Sequence, residues 1–203
     1  MDHVRRSLSM AIVVIEVIAT SCQFIQHTDP RFPFVYFTVW SGVFAGVVAA
    51  LEVFRCSYRG LPHCRVGAAV GVTFSALIFV AIIAPATPTG TWFQPWDDAW
   101  VRVATLSFHG LAPVLVLARL VIGPCPDSIR GWLVAAYGWP VLYLVLVGVG
   151  TVTLHWGIPY PFLSPTQMGW GTVLVGIAVM ATLIAVTTCL LYAAARVVSR
   201  RID

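Results

Sequence analysis

Six stretches of about 20 predominantly apolar residues, each the length a helix needs to cross a hydrocarbon core of ~30 Å, constrain this chain more than any other feature. They run over residues 8–26, 33–54, 66–86, 100–122, 132–153 and 170–195 of the 203. Charged residues make up only 10%, against roughly 25% in a soluble domain. The connections leave no room for a soluble domain, and lipid-exposed backbone must satisfy its own hydrogen bonds. The expected fold is therefore an all-α membrane protein: one compact bundle of six transmembrane helices over residues 1–203, antiparallel neighbours throughout. No internal repeat or low-complexity tract interrupts it.

All twelve basic residues are arginines, and their distribution orients the bundle. Arg5, Arg6, Arg55, Arg59, Arg65, Arg119, Arg130, Arg196, Arg200 and Arg201 fall on one side; Arg31 and Arg102 oppose them. Short cytoplasmic loops are enriched in positive charge, so both termini are expected in the cytoplasm. The net charge of +4 is accounted for by these helix ends and anionic headgroups, and no nucleic-acid partner is expected. Arg5 and Arg6 before "MAIVVIEVIATSC" resemble a secretory leader, but Glu16 interrupts the apolar run and the cleavage pattern is weak, so the first helix is expected to remain uncleaved. The five cysteines divide between loops and spans and suggest no disulfide framework. "CSYRGLPHC" lacks the four-ligand spacing of a zinc site, and no cofactor motif is present.

Polar side chains at membrane depth are costly and face the bundle interior. Glu16, Thr38, Ser41, Glu52, Arg102, Thr105, Ser107, His109, Tyr137, Tyr143 and Thr188 are the main ones. Most have a structural explanation: Thr and Ser return hydrogen bonds to the preceding turn, and Glu52 lies close to Arg55 as an interfacial ion pair. Glu16 is deeper, and either its carboxyl is kept protonated by burial or it pairs with a polar residue on another helix. Arg102, Thr105 and His109, at i, i+3 and i+7, form a polar stripe on one face of the fourth helix. Measured from the outward-facing helix starts, Thr38 lies about 8 Å and His109 about 13 Å below the surface at 1.5 Å per residue.

A threonine hydroxyl attacks an ester only when a base takes its proton. His109, the one histidine within a span, suits that role. Thr38 as nucleophile and His109 as general base would form an acyl-enzyme that water then releases. Arg102, Trp40, Tyr143 and Tyr160 are candidate donors to the oxyanion. Ser41, Thr105 and His155 complete the set of candidate substrate-binding residues, with His155 and Tyr160 placed to cap the site from the aromatic connection "LHWGIPYPFLSPTQMGW". That connection and "TWFQPWDDAW" also have the composition of an interfacial aromatic belt, and Asp97 and Asp98 in the latter are available to Arg102.

Four pieces in order, "YFTVWSG", "FHGLAPVLVL", "WPVLYLV" and "YPFLSPTQMGWG", resemble the androgen-induced-gene family of multipass membrane proteins, especially its bacterial integral membrane relatives. The resemblance covers about residues 34–195. It implies a plasma-membrane threonine hydrolase that cleaves fatty acid esters of hydroxy fatty acids, with the family's threonine at Thr38 and its histidine at His109. The chain departs from the bacterial pattern at Gly42, where relatives often carry Asn, at Ser164, where they often carry Asp, and near Arg119, where an acidic residue is common. These departures bear on how the histidine is oriented and how substrate is held.

Two other classes fit the same residues. A non-enzymatic lipid-binding or transport protein would use the cavity alone, although a coupled transporter finds little support without repeats or broken helices. A lipid acyltransferase would use the same acyl-enzyme and an acceptor other than water. The expected substrate is a membrane lipid or fatty acid ester, and the binding protein would hold a lipid or small hydrophobic ligand.

Overall fold

The computed structural model describes residues 2–202 except Ser57, Pro159, Pro161 and Phe162; the side chains of Asp2 and of residues 199–202, hence of Arg200 and Arg201, lie outside the description. Every described element is helical. Helix α1 is Asp2–Ile25, α2 Phe37–Val53, α3 Leu61–Ala86, α4 Ala99–Val121, α5 Ile129–Leu154 and α6 Pro165–Ile202. Five of them are long and apolar enough to cross a membrane, whereas α2 has only 17 residues. A short 3-10 turn at Pro33–Val35 takes the place of the first turn expected for α2.

The ends obey local chemistry. Ser128 caps α5 by accepting from the Gly131 N–H at 3.1 Å, and Asp98 caps α4 by accepting from the Val101 N–H at 2.9 Å. His155 closes α5 in the left-handed region at φ 55°. Gly169, at φ 75° and ψ 153°, bends the start of α6 with a conformation that an L side chain rarely adopts.

Helix α3 is the hub, packed by α2, α4, α5 and α6. Small residues allow this crowding. A Cβ on Gly67 would stand 3.0 Å from the Ala135 carbonyl oxygen, and one on Gly71 would stand 2.9 Å from the Trp139 ring and 3.1 Å from Ser41 Oγ. Around them Val66, Ala69, Val70, Ala112, Trp132 and Ala136 are fully or nearly fully buried.

The arginine-rich end is tied by a charged cluster. Glu52 does not turn to Arg55: its carboxylate accepts from Arg65 Nε at 2.6 Å, pairs with Arg119 Nε at 2.8 Å, and accepts from Ser9 Oγ at 2.6 Å. Arg119 Nε also reaches Ser9 Oγ at 3.0 Å, and Arg5 Nε donates to the Ile122 carbonyl at 2.6 Å. Four helices thus converge on one carboxylate that is 7% exposed. Sequence proximity favoured Arg55; the pairing is set instead by the packing of α1, α3 and α4 around the end of α2.

At the opposite end, Asp98 also accepts from the His27 N–H at 2.8 Å and Thr28 Oγ1 at 3.2 Å, joining the α1–α2 connection to α4. The backbone N–H groups of His27 and then Val101 hold its carboxyl down to about 2. Arg102 does not pair with either aspartate side chain. It donates to the backbone carbonyls of Asp97 and Gln94, both at 3.1 Å.

Both anchors can be tested by stability. Replacing Glu52 with Ala leaves buried guanidinium groups without their counter-charge and costs about 3–5 kcal/mol, read as a clear drop in the thermal melt of the purified protein; an unchanged melt would contradict the role given to the cluster. Because the Asp98 carboxyl is depressed in the folded state, its contribution is present above about pH 4 and is lost as pH falls through about 2. The melts of wild type and Asp98→Asn should therefore converge as pH falls through that window, whereas a constant gap would contradict it.

Candidate functional site

Thr38 lies in the first turn of α2, and its Oγ1 is 2.6 Å from Ser75 Oγ on α3. Ser75 precedes the end of α3 at Ala86 by eleven residues, so this hydroxyl pair sits about 16 Å below that end at 1.5 Å per residue. Helix α2 therefore begins well inside the bundle. Its first N–H groups have no side-chain cap at Tyr36; the Tyr160 hydroxyl instead accepts from the Phe37 N–H at 3.2 Å. Thr38 and Tyr160 line the same cavity.

Neighbouring polar groups fix the same region. Tyr143 donates to the Val35 carbonyl at 2.7 Å, Trp40 Nε1 to the Phe34 carbonyl at 2.7 Å, and Trp139 Nε1 to Ser41 Oγ at 3.0 Å. Each of Trp40, Ser41 and Tyr143 thus has a structural bond that occupies its polar atom. Phe37 packs edge-on against Phe74 and Tyr143.

Thr38 and Ser75 open onto a chamber of about 280 Å³, near the lower end of small-molecule sites at ~300 Å³. Its walls come from α2, α3, α5, the α5–α6 connection and α6, and beyond the hydroxyls they are almost wholly apolar. Ile82, Val141, Leu144 and Ile177 line it and are also exposed on the outer surface of the bundle. The chamber is consequently open sideways, where Ile82 of α3, Val141 and Leu144 of α5 and Ile177 of α6 reach the outer surface.

His109 is not among the residues lining this chamber. Its ring stacks on Phe79 at 4.0 Å and 3°, Phe79 in turn meets Trp92 edge-on, and His109 Nδ1 is buried without a hydrogen-bond partner. Phe79 comes four residues after Ser75, so along α3 the histidine meets a level about 6 Å further from the arginine-rich end than the hydroxyl pair. This reverses the depth order expected from helix starts. Two features account for it: α2 starts late, and both stacking residues lie in π-helical turns, Phe79–Ile83 on α3 and Ser107–Leu111 on α4. Such a turn inserts a residue and rotates the rest of the helix, which also breaks the stripe of Arg102, Thr105 and His109. Arg102 is exposed and bound to its loop, and Thr105 is half-buried.

His155 is exposed at the end of α5 and does not cap the chamber; Tyr160 does. Glu16 is 2% exposed, with both carboxyl oxygens buried and unpartnered; the space a Cβ on Gly42 would fill is already taken by Glu16 Oε2 and the Phe108 ring. Ser164 is hydrogen-bonded to Thr166 at 3.0 Å. Arg119 serves the Glu52 cluster, at the far end of the bundle from the chamber. Among the described residues, no group of three or more His, Cys, Asp or Glu side chains gathers as metal ligands do. Ser75 is the site residue that sequence reasoning missed, since "VTFSALIF" carries no signal separating it from any serine within a span.

Tyr160→Phe removes the acceptor of a buried N–H group at the start of α2 and should cost about 1–3 kcal/mol, measured as a lowered thermal melt. Equal melts for wild type and Tyr160→Phe would contradict the capping role. No protein-family model, no curated protein and no solved structure matches the chain.

Proposed function

We propose that this is a multipass integral membrane protein, α2 included as a sixth short span and both termini cytoplasmic, that takes the acyl chain of a fatty acid ester from the bilayer into the side-opening chamber. The observation that carries this reading is the chamber itself: apolar walls, a lateral mouth, and one polar patch at Thr38, Ser75 and Tyr160. An acyl chain gains from leaving water but little from leaving lipid, so the patch supplies what the bilayer core lacks, hydrogen-bond donors for a carbonyl. The positive end of the α2 dipole lies at the same place and favours the carbonyl oxygen there. The arginine-rich end, where Arg5, Arg65 and Arg119 gather, supports the cytoplasmic assignment of the termini, and the bacterial plasma membrane is the site the motifs suggest.

Ester hydrolysis is the second reading, and the unpartnered Nδ1 of His109 favours it together with the resemblance of Thr38 and His109 to the androgen-induced-gene family pair. In that reaction Thr38 Oγ1 bonds to the carbonyl carbon as its proton passes to His109. The ester C–O bond then breaks, the leaving alkoxide takes that proton, and water cleaves the acyl-threonine to free acid. An alcohol in place of water would make the protein an acyltransferase. Either reaction requires the imidazole to leave Phe79 and reach the hydroxyl pair.

Binding and turnover are read separately on the purified protein, with displacement of a fluorescent fatty acid for the first and release of free acid from a fatty acid ester of a hydroxy fatty acid for the second. Binding should weaken severalfold in Thr38→Val and be little changed in His109→Ala. If the enzyme reading holds, both variants lose turnover and a fluorophosphonate labels wild type but not Thr38→Val. Displacement unaffected by Thr38→Val and Ser75→Ala together would contradict the binding reading; turnover retained in His109→Ala would remove the histidine's role.

A further inference from the structure

The walls of the chamber end in a defined floor. On α5, Tyr143 shares the level of Phe37 through ring contact, and Tyr137 lies six residues closer to the arginine-rich end, about 9 Å at 1.5 Å per residue. There the Tyr137 hydroxyl donates to the Ala181 carbonyl of α6 at 2.8 Å, bridging the two helices below the mouth. Ile184, 5% exposed, closes the same end one turn further along α6, and Met180 flanks it. Above this floor Pro140 contributes to the wall, and the lateral opening between Val141, Leu144 and Ile177 gives the chain its way in.

We infer that the Tyr137–Ala181 bridge and Ile184 form a ruler that selects acyl chains of medium length, the polar end of the ligand lying at Thr38 and Ser75 and the methyl end against the bridge. The inference rests on the acyl-binding reading and adds to it the class of chain. The depth of the floor sets the length: Tyr137 lies about 9 Å below the level of Tyr143 and the patch, at 1.5 Å per residue. An extended chain of about eight carbons spans that depth, at ~1.25 Å per carbon–carbon bond along the chain. Longer ones must leave their tail in the lateral mouth, among lipid tails that offer no advantage over the bilayer.

A ruler of this kind has residues that lengthen or shorten it without touching the hydroxyl patch. Ala181 presents only a methyl group to the chamber, so Ala181→Phe raises the floor. Ile184→Ala lowers it.

The test is displacement of a fluorescent fatty acid from the purified full-length protein by saturated acids from butanoate to stearate, with wild type, Ala181→Phe, Ala181→Leu and Ile184→Ala compared. In wild type, affinity should rise by up to about fourfold per methylene, at ~0.8 kcal/mol each, and then stop rising near octanoate. The break should come about two carbons earlier in the Ala181 variants, and later in Ile184→Ala, as the floor rises or falls. A break at the same carbon in wild type and all folded variants, or a continuous rise through stearate, would overturn the ruler while leaving the acyl-binding reading standing. Failure of every acid to displace the probe from wild type would overturn both.

Discussion

A helix that begins inside a bundle must find acceptors for its first N–H groups within the protein, because burial cuts them off from water. Helix α2 meets this constraint with the Tyr160 hydroxyl, which reaches back from the α5–α6 connection to the Phe37 N–H. The consequence for the site is direct. The same turn that needs a cap carries Thr38, so capping α2 brings a tyrosine hydroxyl, a threonine hydroxyl and, across on α3, the Ser75 hydroxyl into one patch. The polar end of the chamber is therefore built from groups that the fold itself requires to be near one another.

The two ends of the bundle contrast in how they are held. At the arginine-rich end a single carboxylate gathers α1, α2, α3 and α4. No comparable charged cluster among the described residues ties α5 and α6 to the rest at the level of the chamber; they meet α2 and the turn before it through the bonds of Trp139, Tyr143 and Tyr160, and each other through Tyr137. The chamber lies above this base, with its side opening lined by apolar side chains. A charged base with an apolar side opening above it suits the proposed entry of an acyl chain from the bilayer.

The helices were legible in the sequence because membrane thickness imposes a length that hydropathy reports. Thr38 and Tyr143 were legible as polar atoms in apolar surroundings, and Tyr160 as a cap from the aromatic connection. What remained hidden is non-local. The partners of Glu52 are Arg65 and Arg119, 13 and 67 positions away, rather than the neighbouring Arg55. The π-helical turns at Phe79–Ile83 and Ser107–Leu111 leave no mark in a 3.6-residue pattern, yet they decide where His109 points. Ser75 acquires its meaning only from facing Thr38. The resemblance of motifs paired Thr38 with His109; in the fold each has a different neighbour, Ser75 for one and Phe79 for the other.

The central claim, that an acyl chain lies in this chamber with its polar end at the hydroxyl patch, is tested most directly by photolabelling the membrane-embedded protein with fatty acids carrying a diazirine near the carboxyl or at the methyl end, then mapping the adducts. The account predicts carboxyl-end adducts around Phe37, Thr38 and Ser75 and methyl-end adducts around Tyr137, Ala181 and Ile184. Adducts from both probes spread over the exposed face of α6 at Trp170, Leu174 and Val175, with none in the chamber, would contradict it.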